Sequence, residues 1–346
     1  MQAFIKTAPG VGNMVVGDAP VPVARPGEAL VKVAQSGMCG TELLVYDDVY
    51  RGRKRPMPFP LIVGHEASGV LVELGPGTAG PEPGTRVAME GVGGCGSCFH
   101  CTRGNYNLCQ DWHHIGLTRA GALAEFVTVP VSSLLPLPDD VSFESAAFLE
   151  PFATAVHTLE RLKPAPGQPA AIIGPGPLGL LHLQILRAAG LSPIVVFGRR
   201  GDEKRLGLAR MVGADAALVA DRKEAQEYTA RLTDGVGMAV VIEAGGTAEA
   251  VQTALDIVGS AGAIATLGLA RSTEIDALSV MRKNLLWVGV VASVRRHYAE
   301  AIRLIRTGKV QPDRLITHRM SLAEAPSALP AMRDAEAVKI MFAPGA

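Results

Sequence analysis

The chain lacks an excess of charge of either sign: Lys plus Arg and Asp plus Glu both total 33, so it is formally neutral. No basic block supplies the electrostatic footprint that nucleic acid requires, and a nucleic-acid partner is not expected. The opening MQAFIKTAPG has no positively charged head followed by an apolar run and a cleavage site, which leaves export without support and a cytoplasmic location as the expectation. Cysteine is scarce, and four of the five crowd between Cys95 and Cys109, unlike the framework of a disulfide-stapled extracellular domain. Internal repeats and low-complexity linkers are absent. Only residues 170–190 have the apolar length of a membrane span, but the Pro and Gly residues at its start, with His182, Gln184 and Arg187 beyond, suit a bilayer poorly, and no membrane partner is expected.

What remains fits a protein that handles small polar or neutral ligands. A length of 346 residues exceeds what one core usually spans, so two domains are expected. Up to about residue 150, short runs at 29–34, 68–73, 85–89 and 124–129 place β-branched residues between Gly/Pro breakers, a β-rich pattern without βα alternation.

From residue 170 the pattern changes. Ala170, Ala171, Ile172 and Ile173 run into Gly174-Pro175-Gly176-Pro177-Leu178-Gly179, and an apolar segment of helical length follows. Strand, tight turn and helix in that order aim free amides and a positive dipole end at whatever the loop encloses. An anion is the natural occupant, and a dinucleotide pyrophosphate fits. Gly174 then makes the turn, Gly176 admits the phosphate and Gly179 packs helix on strand. The competing reading is a glycine-rich turn in an ordinary βα unit. Further apolar runs at 194–197, 216–219, 238–242, 263–267 and 285–290 alternate with helix-patterned segments. Six such strands predict a doubly wound, parallel α/β sheet and favour the nucleotide.

Arg199 and Arg200 follow the second strand, about twenty residues beyond the loop, where an acidic residue would bind the adenosine ribose. Two arginines instead offer a fork to a 2′-phosphate, so NADP is the expected cofactor. NAD stays open, through Asp202 or Glu203 on the ribose.

Two metal signals lie in the β-rich half. Cys95, Cys98, Cys101 and Cys109 have the spacing of four thiolates that close a tetrahedral shell around zinc. A redox pair would not need four thiols; an iron–sulfur cluster is not excluded by spacing, and idle cysteines are the plain alternative. His100, His113 and His114 read as packing or surface histidines. The second signal is dispersed: Cys39 in a Gly-rich turn, Gly64-His65-Glu66 at a strand start, and Glu150-Pro151. A thiolate, an imidazole and a carboxylate make an open three-ligand zinc site. Singly, Cys39 reads equally as a packed thiol and Glu150 as a solvated helix edge.

The series Cys39-Gly-Thr, Gly64-His-Glu, the four-cysteine lobe, Glu150-Pro151 and the glycine loop resembles, over essentially the whole chain, the zinc-dependent medium-chain dehydrogenases, which include alcohol, sorbitol, threonine and glucose dehydrogenases. Glu150-Pro151 points to the polyol, threonine and sugar branch. The resemblance implies a GroES-like catalytic domain from 1–153 and 293–346, with 154–292 forming the Rossmann domain, and a cleft between the two. It implies two zinc ions per subunit: a catalytic one held by Cys39, His65 and either Glu66 or Glu150, and a structural one in the lobe. Thr41 matches the hydroxyl that relays the substrate proton. Thr154 falls where the family contacts the nicotinamide, and Gly174, Gly176, Pro177, Leu178, Gly179, Arg199, Arg200 and Leu269 are the other expected cofactor contacts. Tyr46, Phe59, Trp112 and Leu269 are candidate pocket walls, and the charged loop 43–55, with Asp47, Asp48, Arg51 and Arg53, favours a polyol or sugar. Leu44 stands where relatives often carry a relay histidine, leaving His157 to be considered, and Glu42 stands where they usually carry Asp. The expected activity is hydride transfer between NAD(P) and an alcohol, by a homodimer or homotetramer. A threonine-type or plain alcohol dehydrogenase, a zinc-free quinone or enone reductase and a non-enzymatic nucleotide sensor are the alternatives.

Overall fold

The computed structural model describes residues 1–50, 55–268 and 272–345. Two compact units divide the chain: Met1–Ala153 with Ala292–Thr307 and Ile316–Ala346, and Thr154–Val291 with Gly308–Leu315.

The first unit is β-rich. Its central strand, Glu28–Gly37, pairs antiparallel with Glu66–Leu74, Phe126–Pro130 and the late strand Lys339–Phe342. Side chains alternate across a strand, so Val31 and Val33 are buried while Lys32 between them is exposed. Leu71, Val87, Val127 and Val129 complete that face of the core. Two short helices interrupt this β-rich half, Gly40–Tyr46 and Phe143–Ala147. Both are too short to show a 3.6-residue period in the sequence.

The second unit carries β1 (Ala170–Ile173), β2 (Ile194–Gly198), β3 (Ala216–Val219), β4 (Met238–Glu243), β5 (Val258–Thr266) and β6 (Leu286–Gly289). All run parallel, in the order 3-2-1-4-5-6, so the doubly wound sheet expected from the apolar runs is present. β1 is buried at every residue, as a strand covered on both faces must be. Strand order reverses between β1 and β4, and the crevice beyond their carboxyl ends is where such sheets bind ligands. Among the described residues no helix is long and apolar enough to cross a membrane.

His182, on helix Pro177–Ala188, is buried in this unit. Its Nδ1–H donates to the Leu178 carbonyl (2.6 Å), leaving Nε2 3.0 Å from Thr158 Oγ1. Burial pushes its pKa from 6.5 down to about 4. The unfolded imidazole accepts a proton that the folded one refuses, so its contribution is complete above pH 6.5 and lost as pH falls toward 4. Each pH unit across that window costs about 1.4 kcal/mol. Urea midpoints should therefore fall between those pH values, and His182→Leu should flatten the fall; parallel pH profiles for the two proteins would contradict this.

Candidate functional site

In the first unit the chain leaves Glu28–Gly37 and turns at Cys39, which caps helix Gly40–Tyr46. Glu42, at the third helical position, closes that cap by accepting the Cys39 N–H at Oε2 (2.8 Å). Its Oε1 lies 3.2 Å from Nδ1 of His65, the residue that precedes strand Glu66–Leu74. Ligand atoms of Cys39, Glu42 and His65 all lie within 4.8 Å of one another, and so do those of His65, Glu66 and Glu150. His65 is thus common to two groups. Thr41 Oγ1 is 3.6 Å from Cys39 Sγ.

The electrostatics of this cluster call for a cation. Burial alone would depress His65, but Glu42 and Cys39 outweigh it and hold the imidazole well above its usual pKa. Burial also opposes charge on Glu42, yet His65 keeps that carboxyl below its usual range. Burial pushes Glu150 up to about 7, with Glu66 adding to the rise against the opposing pull of His65. Glu42 Oε1 and His65 Nδ1 are buried without an aligned hydrogen bond. A divalent cation among these donors would compensate the negative charge that Cys39, Glu42, Glu66 and Glu150 can carry, and would engage the buried Glu42 Oε1 and His65 Nδ1, so the donor set fits a metal.

Glu66 forms a buried ion pair with Lys339, whose Nζ also donates to the Met38 carbonyl (3.2 Å). Gly37 leaves room for the pair: a Cβ there would lie 2.5 Å from Glu66 Oε2 and 2.8 Å from Lys339 Cε. Neither the lysine nor the role of Glu42 was read from the sequence, where Glu42 was noted only as a departure. A charged residue opening the apolar strand Lys339–Phe342 was the available signal, since a buried charge needs a partner.

The four-cysteine lobe contains no disulfide. Cys95 and Cys101 Sγ are 4.0 Å apart, Cys98 and Cys109 Sγ 3.8 Å, and all four lie within 4.8 Å of one another. Zinc–sulfur bonds of about 2.3 Å in a tetrahedron place sulfurs about 3.8 Å apart, so the lobe fits the ion. Backbone N–H groups of Ser97 and Cys98 pull Cys95 down to about 6, whereas burial and the neighbouring thiols push Cys101 up to about 12. Four thiols so close cannot all ionise without a cation. Gly94 lets the lobe close, because a Cβ there would lie 2.4 Å from Cys101 Sγ.

In the second unit the glycine loop is closely packed at Gly174 and Gly179 and open at Gly176. Gly174 adopts φ +99, and a Cβ on it would lie 2.8 Å from Gly245 N. Gly179 packs so closely that its Cβ would lie 2.1 Å from the Gly174 carbonyl oxygen. Gly176 caps helix Pro177–Ala188 and has nothing within 4 Å of its Cβ position, which leaves an open cradle before the free amides of the first turn. Pro177 occupies that first turn without removing an intrahelical hydrogen bond. A cleft of about 760 Å³ runs from Gly174 and Gly176 to Gly198, Arg199, Arg200 and Arg205. Asp202 Oδ2 accepts the Arg199 N–H (3.0 Å) and its Oδ1 lies 3.8 Å from Arg205, so the turn itself engages both its oxygens. Arg205 was not singled out in the sequence. Thr154 lies on helix Leu149–Leu162, its carbonyl accepting from Thr158 Oγ1 (2.9 Å).

Of the candidate pocket walls, Trp112 packs with Val92 and Cys109 beneath the lobe, and Tyr46 packs on the core around Phe4. Leu269, Arg51 and Arg53 lie outside the described residues.

The family models for the alcohol dehydrogenase GroES-like domain and the glucose dehydrogenase C-terminus match residues 25–139 and 148–342. A sorbitol dehydrogenase of Halalkalibacterium halodurans is 33% identical over 99% of both chains. An L-threonine 3-dehydrogenase of Pyrococcus horikoshii is 34% identical over 99% of this chain and 98% of its own. Among solved structures, a Sinorhizobium meliloti 1021 protein assigned as a zinc-binding dehydrogenase and bound to NADP superposes with a TM-score of 0.88 at 29% identity, over 99% of both chains. Galactitol-1-phosphate dehydrogenase from Escherichia coli gives a TM-score of 0.88 at 26% identity, over 99% of this chain and 100% of its own.

Proposed function

Since the chain belongs to the zinc-dependent medium-chain dehydrogenase/reductase family, we propose that it transfers a hydride between a nicotinamide cofactor and an alcohol, with a polyol, sugar or other secondary alcohol as the substrate class. The observation that carries this reading is that Cys39 and Glu42 form one group of metal-binding atoms with His65, and Glu66 and Glu150 a second group with the same His65, although Cys39, His65 and Glu150 are remote in sequence. Bound there, zinc would supply the Lewis acidity that lowers the pKa of an alcohol hydroxyl, and the nicotinamide would supply the hydride acceptor.

The protein's own residues do the rest. Cys39, His65 and one of the carboxylates Glu66 and Glu150 hold the ion, while Glu42 orients His65 from behind as a positioning carboxylate. Thr41 Oγ1, 3.6 Å from the Cys39 sulfur, receives the substrate proton. Cys95, Cys98, Cys101 and Cys109 hold the structural ion. The glycine loop and the amides of Leu178 and Gly179 take the pyrophosphate, and Thr154 contacts the nicotinamide. The names of the relatives support the polyol reading and keep threonine as a second substrate class. A panel of polyols, aldoses, threonine and secondary alcohols, read by NADPH absorbance, tests the reading; no turnover with any of them would reject it.

NADP is the preferred cofactor in this reading because exposed Arg199 and Arg200 line the far end of the cleft while Asp202 is engaged by its own turn. A hydrogen bond to a charged group contributes about 1.5–3 kcal/mol, so Arg199→Ala with Arg200→Ala should lower kcat/KM for NADP roughly 10- to 100-fold and leave NAD nearly unchanged. Equal losses for both cofactors, or a wild-type preference for NAD, would contradict the assignment.

We also propose a homodimer or homotetramer. Edge strand β6 exposes Leu286, and the preceding helix Ala277–Arg282 exposes Leu278 and Met281, a surface that a second chain would cover. Light scattering should return a multiple of the 36.1 kDa chain mass; a monomer at micromolar concentration would refute it.

A further inference from the structure

At the base of the four-cysteine lobe, Val92–Gly93 and His113–His114 form a two-stranded antiparallel ribbon, with Val92 opposite His114. Cys95 follows one strand and Cys109 precedes the other, so closing the thiolate shell holds the two strands in register. The ribbon is tightly fitted: a Cβ on Gly93 would lie 2.2 Å from the His113 ring. Its far side bears on the proposed catalytic ligands at two places. The buried His114 ring meets the His65 ring in a T-shaped contact, with centroids 5.0 Å apart and planes at 75°. Gly91, which accepts the Ile115 N–H (3.0 Å), lies against Glu150, where a Cβ would be 3.1 Å from Glu150 Cγ.

His114 cannot swing away from this contact freely. Its Nδ1–H donates to the Ile115 carbonyl (2.7 Å), its backbone N–H donates to Thr118 Oγ1 (2.8 Å), and Trp112 abuts its ring at 5.4 Å between centroids. Trp112 in turn packs on Cys109 and Val92. A continuous path of packed rings and paired backbone therefore runs from the lobe sulfurs to His65.

We propose that the four-cysteine lobe sets the geometry of the catalytic metal ligands through this ribbon, with His114 as a positioning residue for His65. The inference rests on the reading of Cys39, His65, Glu66 and Glu150 as a metal site. An edge-to-face pair restricts rotation of a ligand ring, and loss of such outer support weakens metal binding by about 10- to 100-fold.

The test uses full-length protein carrying cobalt(II) at the Cys39–His65 cluster and zinc in the lobe. In His114→Ala the visible d–d bands should shift, and a chelator should remove the cobalt at least about tenfold faster than from wild type, with lobe zinc retained. His114→Phe, which keeps an aromatic ring, should restore both readouts, whereas His114→Leu, which only fills space, should not. The Phe and Leu variants decide the matter should the alanine variant not fold. Wild-type spectra and chelation rates in the Ala and Leu variants would overturn the inference while leaving the metal site standing. A wild-type protein that binds no cobalt at the cluster would instead overturn the reading beneath it.

Discussion

His65→Ala is expected to lower kcat by at least about three orders of magnitude, while NADPH affinity, measured by fluorescence titration, stays within a few-fold of wild type. His65 is the side chain common to both groups of metal-binding atoms, so its loss breaks the Cys39 side and the Glu66–Glu150 side together. Polarisation of an alcohol by a metal ion contributes several kcal/mol to transition-state stabilisation, and each 1.36 kcal/mol is a factor of ten. Cofactor binding should persist because the glycine loop and Arg199–Arg200 belong to the other unit. Cys39→Ser should behave in the same way. Full activity in either variant, with zinc content unchanged, would sink the catalytic assignment.

Lys339→Met should destabilise the protein by about 3–5 kcal/mol, the effect of leaving one partner of a buried pair uncompensated. Both groups are essentially inaccessible, Lys339 at 2% and Glu66 at 1%. Methionine fills the space but leaves the Glu66 carboxylate facing the site with no ammonium beside it. Adding Glu66→Gln should recover much of the loss, because the double variant has no buried charge to compensate at that position. Urea unfolding of the two single variants and the double variant measures both terms. A Lys339→Met midpoint within about 1 kcal/mol of wild type would show that the pair holds nothing together.

The fold was legible because its signals are local. Continuous apolar runs marked β1, β2, β3 and β4, and the glycine spacing after Ile173 marked a turn whose close approaches at Gly174 and Gly179 tolerate no side chain. β5 was seen only in its second half: it begins at Val258, where Gly259, Ser260 and Gly262 interrupt the apolar pattern. The ligand cluster had no local signature. Cys39 comes near His65, and His65 near Glu150, only through a turn, a strand start and a helix start far apart in the chain, so resemblance, not spacing, proposed them as ligands. The partners behind them were hidden for the same reason. Lys339 reaches Glu66 only because the last strand pairs with Glu28–Gly37, a contact spanning 273 positions. His114 read as an ordinary packing histidine because nothing in Trp112-His113-His114 reveals which ring it would meet.

The most direct test of the central claim is the rate of NADPH formation from NADP with the alcohol panel, before chelation, after chelation and after zinc is restored. The account predicts turnover of a polyol or secondary alcohol that is lost on chelation and recovered with zinc. Turnover indifferent to chelation, or reduction of quinones and enones by the metal-free protein in its place, would contradict it.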